Sequence, residues 1–260
     1  MAPVTGRKPL VKTCVAAVLL LFGVGCFAQD AYPEPETAAA WRALAAGYVR
    51  KALKDQTLVK DAVLNARVDA AMAAVGAGVA AVDPRFAGAR WTALLIEGFG
   101  RGAAAFPGGT ILVDAKFVRN LELNDDELAL VLSHEAAHVV AGHAAAKLSF
   151  MAVMLGKEKV PTAHSALLEF LAKDSYAVEF QPAARRQERE ADALGAAIFF
   201  ATGYDAGRAL GLFDKLAELE RPIAERAGDA ADTHDAAGAR KQLVARVIAE
   251  LEQQRPKPSR

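Results

Sequence analysis

The sequence predicts an α+β fold, mainly helical with one small sheet. Apolar residues recur at three- to five-residue spacing along most of the chain, the signature of helices with one buried face. Two short runs, Trp91 to Glu97 (WTALLIE) and Thr110 to Asp114 (TILVD), break that texture with β-branched and bulky residues. Gly98, Gly100, Gly102 and the Pro107-Gly108-Gly109 turn separate them, as expected of neighbouring strands. A chain of 260 residues that is 53% hydrophobic can bury one substantial core, so one domain is expected.

Residues 1–28 read as a secretory leader outside that core. Arg7, Lys8 and Lys12 precede an apolar run from Cys14 to Phe27 that ends in the small residue Ala28, where cleavage is expected. A run of about 14 residues falls short of the roughly 20 that a helix needs to cross a bilayer. Gly25 before Cys26 also fits the lipid-attachment point of a bacterial lipoprotein, whereas Gly23 fits that signal poorly. Both cysteines, Cys14 and Cys26, lie in the leader, so the mature chain is expected to hold no internal disulfide. The charges balance at 31 basic against 31 acidic residues; losing the three leader cations leaves 28 against 31, a net −3. Nothing in that balance suggests a nucleic-acid partner.

Residues 29–36 form a proline-rich, acidic lead-in (DAYPEPE from Asp30), and the folded domain is expected over 37–254. Its helical part, 37–82, contains two expected helices, Thr37 to Asp55 and Thr57 to Val82, with Trp41, Leu44, Tyr48, Ala52, Leu58, Val63 and Val68 on their apolar faces. Asp83-Pro84 closes the second. The core spans 91–251. After the two strands, Asn124 or Asp125 caps a helix with Glu127 in its first turn, which runs on through Leu128, Val131 and Leu132. Further helices are expected over His164 to Leu171, Arg185 to Phe200, Ala206 to Leu219 and Ala237 to Gln253, before a polar tail at 255–260.

The helix after Asn124 carries the chemistry. In S-H-E-A-A-H-V-V-A-G-H, His134 and His138 stand four residues apart, about 40° around a helix, so both imidazoles can hold one metal ion. Glu135, about 100° from His134, is placed to take a proton from a water in the metal's open position. A-R-R-Q-E-R-E-A-D-A-L-G, from Ala184 to Gly195, offers Glu188 as a third ligand; two histidines and a glutamate are an established zinc set. Asp192, on the same face as Glu188, can accept the free ring N–H of a ligating histidine. Glu190, about 200° from Glu188, is assigned to solvent. His143 lies five residues past His138, about 140° around a continued helix, and is read as structural. Ala141 and Ala144 stand where a metzincin has glycine and histidine, which excludes that class.

HEAAH followed by E-R-E-A-D resembles the HExxH plus ExxAD gluzincins of the CAAX prenyl protease family, in particular its small soluble bacterial branch exported to the periplasm. G-A-A-A-F-P-G-G-T-I-L-V-D, from Gly102 to Asp114, is similar to the family's N-A-x-x-x-P-G-G-x-I-x-V segment, with Gly102 in place of asparagine. G-Y-D at Gly203 to Asp205 looks like the turn after the third ligand. D-T-H-D-A-A-G-A-R, Asp232 to Arg240, resembles S-x-H-P-x-x-x-x-R, with Asp232 for serine and Asp235 for proline.

This resemblance implies a zincin-like domain with one zinc ion per chain, held by His134, His138 and Glu188, with Glu135 as general base and Asp192 supporting a histidine. It implies a catalytic place for His234 and Arg240, as donors to the oxyanion of the tetrahedral intermediate, with His234 alternatively closing the site as a ligand. The strand edge beside the cleft can pair with substrate backbone. The implied activity is hydrolysis of peptide bonds in misfolded or unassembled envelope proteins. The implied place is the periplasm, with attachment to the outer membrane if Cys26 is lipidated. A chaperone-like assembly factor with a gated site is the alternative. A purely structural zinc is disfavoured by the intact Glu135 and by the absence of cysteine ligands.

Overall fold

A computed structural model describes residues 58–100, 102–155, 174–227 and 237–255, with scattered helical positions between 43 and 54. The leader, the lead-in, the apolar residues assigned to the first helix, the helix expected over His164 to Leu171 and the end of the tail lie outside the described residues.

Helix α1, Ala62–Val82, begins where the Asp61 side chain accepts the Leu64 N–H. It starts later than the Thr57 expected from periodicity, because Leu58 instead bridges to Ile96 at the sheet margin. Leu58 and Val63 are consequently exposed, and the face that enters the core is Leu64, Val68, Ala71, Met72, Val75 and Val79. Each larger side chain on that face contributes roughly 1.5–3 kcal/mol by leaving water. By length and composition α1 is also apolar enough to span a bilayer, although Asn65, Arg67 and Asp69 interrupt its run. Asp83 ends it and accepts the Arg85 N–H of a short 3₁₀ turn, Pro84–Phe86.

The sheet has three strands: β1 (Thr92–Ile96), β2 (Ala103–Phe106) and β3 (Thr110–Asp114), in the order β1-β3-β2. β1 and β3 are parallel, Leu94 opposite Leu112; β2 and β3 form an antiparallel hairpin, Ala105 opposite Ile111. Gly109, at φ +88 and with Arg90 O 2.6 Å from where a Cβ would stand, makes glycine obligatory in that turn. Gly102 faces the Phe117 ring at 3.1 Å from the same virtual atom, so this chain fills with an aromatic ring the space an asparagine side chain would occupy.

The Asp114 side chain caps α2, Ala115–Asn120. Helix α3, Asp125–Val140, starts with a full capping box: Asn124 accepts the Glu127 N–H, and the Glu127 carboxylate accepts the Asn124 N–H. It stops at Ala141, the chain turns at Gly142 with φ +70, and α4, His143–Leu155, begins at once. Helix α5, Asp174–Thr202, is longer than the Arg185 to Phe200 expected and carries Pro182 within it. The expected helix from Ala206 divides into α6, Ala206–Ala209, and α7, Gly211–Ala227; α8 is Ala237–Gln253.

Helix α5 is the central element, packed against α1, α3 and α8, while α3 also meets the edge strand β2. Small residues allow this. A Cβ on Gly78 of α1 would lie 2.6 Å from Ile198 O, and one on Gly195 would lie 2.9 Å from the His134 Cα. Backbones of α3 and α5 therefore touch beside the histidines, with Ala136, Ala137, Ala191 and Ala196 wholly buried around the contact.

Candidate metal centre

Between Leu128 and Val140, α3 is buried except at His134, Glu135, His138 and Val139. Three of those four half-buried positions are the titratable residues of the HEAAH motif.

The Nε2 atoms of His134 and His138 are 3.1 Å apart. Glu188, from α5, brings Oε2 to 3.4 Å from His134 Nε2 and Oε1 to 3.6 Å from His138 Nε2. Three donors bound to zinc at about 2.0–2.1 Å in tetrahedral geometry stand roughly 3.3 Å from one another. The observed separations match that triangle, and among the described residues these three side chains are the group able to hold an ion. The residues therefore fit the metal implied by the sequence.

Behind His134, Asp192 Oδ1 lies 3.0 Å from Nδ1, so the carboxylate accepts the Nδ1–H and keeps Nε2 turned towards Glu188, where it can bind a metal once its own proton is displaced. Asp192 is itself gripped by Arg240 from α8, whose Nε and Nη2 donate to its two oxygens at 2.9 and 2.8 Å. The guanidinium lies 5.8 Å from the Phe213 ring centre. Arg240 thus reaches the site from behind His134, with the Nε–Nη2 edge committed to Asp192.

The electrostatics of the two histidines differ. Burial works against charge on His134, but its hydrogen bonds to Asp192 and Glu188 prevail and raise its pKa to about 10 in the metal-free protein. Burial, and then the neighbouring His134 charge, hold His138 well below the ordinary histidine value. Asp192 is lowered: its burial is outweighed by the hydrogen bonds from His134 and Arg240. Glu135 is raised, chiefly by burial, with His134 pulling the other way. The Glu135 carboxylate also accepts a hydrogen bond from the Ala105 backbone, which sets it against the edge strand β2.

Two residues stand elsewhere than the sequence indicated. Counting His143 around a continued helix put it away from His138, but α3 ends before it. The turn at Gly142 brings His143 Nδ1 to 2.8 Å from His138 Nδ1. Glu190, assigned to solvent, lies with Oε2 3.4 Å from His143 Nε2. The signal that could have found this pairing is Gly142 itself, a common residue just past a helix C-terminus. His234, with Asp232 and Asp235, lies outside the described residues.

Comparison with known proteins places the chain among peptidases. It is 26% identical over 164 residues to the mitochondrial metalloendopeptidase OMA1 of Arabidopsis thaliana, covering 61% of this chain and 32% of that protein. It is 27% identical over 123 residues to the mitochondrial metalloendopeptidase OMA1 of Saccharomyces cerevisiae, covering 46% of this chain and 35% of that one. The chain thus spans about a third of the length of either relative. The sequence pattern of peptidase family M48 matches residues 65–249, which take in both histidines, Glu188, Asp192 and Arg240, and this chain belongs to that family.

Proposed function

We propose that this protein is a zinc-dependent endopeptidase that cleaves misfolded or unassembled proteins of the cell envelope. In this reading it is an exported, periplasmic member of the branch that resembles the CAAX prenyl proteases. The observation that carries the peptidase reading is the convergence of His134 Nε2, His138 Nε2 and the Glu188 carboxylate at zinc-ligand spacing beside Glu135. The names of the two relatives, both metalloendopeptidases, support it. The place in the cell rests on the leader at 1–28, and membrane attachment on Cys26.

His134, His138 and Glu188 hold the ion, which when bound lowers the pKa of a coordinated water towards about 7 and polarises a carbonyl. Glu135 takes the proton of the attacking water and returns it to the leaving amine nitrogen. A carboxyl group whose pKa is pushed up by burial suits both halves of that transfer. β2, the edge strand next to Glu135, pairs with the substrate backbone and so selects extended chain rather than a particular sequence. Asp192 and Arg240 keep His134 turned with Nε2 towards the metal, and His234 is assigned to the oxyanion or to closing the site.

Metal content and casein hydrolysis of the parent, Glu135→Gln and Glu188→Ala test this. The parent should hold one zinc and cleave. Glu135→Gln should keep zinc and lose activity by on the order of 10²–10⁴-fold, and Glu188→Ala should lose both. A parent that takes up no zinc ends the proposal.

A further inference from the structure

The inner edge of His134 has an evident outer support in Asp192, but among the described residues no carboxylate stands directly behind His138. A neutral imidazole carries one N–H, so a His138 that binds metal through Nε2 must carry its proton on Nδ1. That Nδ1–H points at His143 Nδ1, 2.8 Å away. His143 must then accept on Nδ1 and carry its own proton on Nε2, where Glu190 Oε2 stands 3.4 Å off. Each tautomer in this chain is dictated by the one before it, and the chain ends on a carboxylate. The His143 side chain is 8% exposed and Glu190 is 34% exposed, so the relay runs from the metal side through a buried ring to the rim.

We infer that His143, backed by Glu190, is a positioning residue for His138: it fixes that ring's tautomer and orientation so that Nε2 faces His134 and Glu188. The inference rests on the metal-ligand reading above and adds to it two residues that the sequence had placed outside the site. The geometry depends on the break at Gly142, because only a helix that ends at Val140 can fold position 143 back on position 138. α4 therefore contributes to the site through its first residue.

The test is zinc affinity, by competition with a chromophoric chelator, for the whole chain and three variants, with the visible spectrum of the cobalt-substituted protein as a second readout. His143→Leu keeps bulk but removes the acceptor; His143→Asn carries Oδ1 about where the ring carries Nδ1. Zinc should bind roughly 10–100-fold more weakly to His143→Leu, with an altered cobalt spectrum, as is usual when the outer partner of a metal-bound histidine is lost. His143→Asn should restore both readouts most of the way. Glu190→Ala, at the rim where folding is not at stake, should weaken zinc by a smaller factor.

Parent-like affinity and spectrum in His143→Leu overturn the inference. Equal losses in His143→Leu and His143→Asn also overturn it, since they would show that the ring serves packing and not acceptance. If His143→Leu does not fold, an unchanged Glu190→Ala and a weak His143→Asn have the same meaning. A parent that binds no zinc removes the ligand reading itself, which separates that failure from this one.

Discussion

The two histidines of one helix turn are supported in opposite ways. His134 is backed by a buried ion pair from two other helices, Asp192 on α5 and Arg240 on α8, with Asp192 only 3% exposed. His138 is backed by a second imidazole from the helix that follows its own, and then by a carboxylate at the rim. The electrostatic result is a His134 raised to about 10 and a His138 held low. Identical side chains four residues apart thus become one backed by a buried ion pair and one backed by a chain that ends at the rim, and the elements packed behind them set the difference. The anchored side, that of His134, also contains the backbone contact between Gly195 and His134, whereas the His138 side opens towards the rim.

The comparison is broken most severely at that contact. Gly195→Ala puts a methyl group 2.9 Å from the His134 Cα and 3.1 Å from its backbone N, so α3 and α5 must move apart. Overpacking of this kind costs about 1–3 kcal/mol. Because Glu188 and Asp192 move with α5, zinc affinity should fall further than in any variant of a single outer partner. Thermal unfolding with chelator and a zinc titration check the two parts, and an unchanged protein would mean that backbone contact does not set ligand spacing.

Asp192→Asn is next in size and acts on the anchored side alone. The amide keeps the shape but loses the charge that accepts the His134 Nδ1–H and receives Arg240. Zinc affinity should drop about 10–100-fold, with little change in the overall fold by circular dichroism. A drop no larger than that of Glu190→Ala would erase the distinction between the two sides.

The parts of this arrangement that sequence made legible are those encoded locally. β3 lies where its β-branched run is, β1 is shorter by a residue at each end, and the capping box at Asn124 marks the start of α3. The four-residue spacing places His134 and His138 on one face, and the second motif brings Glu188 and Asp192 to them. β2 was not legible from composition, since Ala103 to Ala105 are poor strand formers; pairing with β3 and packing on α3 hold it extended. The His143 contact was hidden by treating α3 as continuous past Gly142. The Gly195 contact was hidden because a glycine amid alanines on a helix says nothing about which backbone comes close to it until the partner helix is known. Arg240 was expected to face the cleft, and its grip on Asp192 depends on how α8 docks on α5, which no local pattern contains.

The effect smallest per step, about tenfold for each pH unit, and the one that best sharpens the contrast, is the pH dependence of zinc binding. In the metal-free protein His134 has a raised pKa of about 10, so near neutrality it carries a proton that zinc must displace from Nε2. His138 is held well below its ordinary value and is already neutral there, so it has none to give. Binding therefore releases one proton, and because release is favoured as pH rises, affinity should increase about tenfold per unit from about pH 6 to about pH 8. A chelator competition across that window measures the slope, and proton release in a weakly buffered titration counts the proton directly. A hundredfold rise per unit would mean that both histidines are charged, and a flat profile that neither is; either would show that the packing behind the two rings does not distinguish them. In Asp192→Asn the slope should flatten, because the partner that holds the His134 proton has been neutralised, whereas in Glu190→Ala it should remain as in the parent.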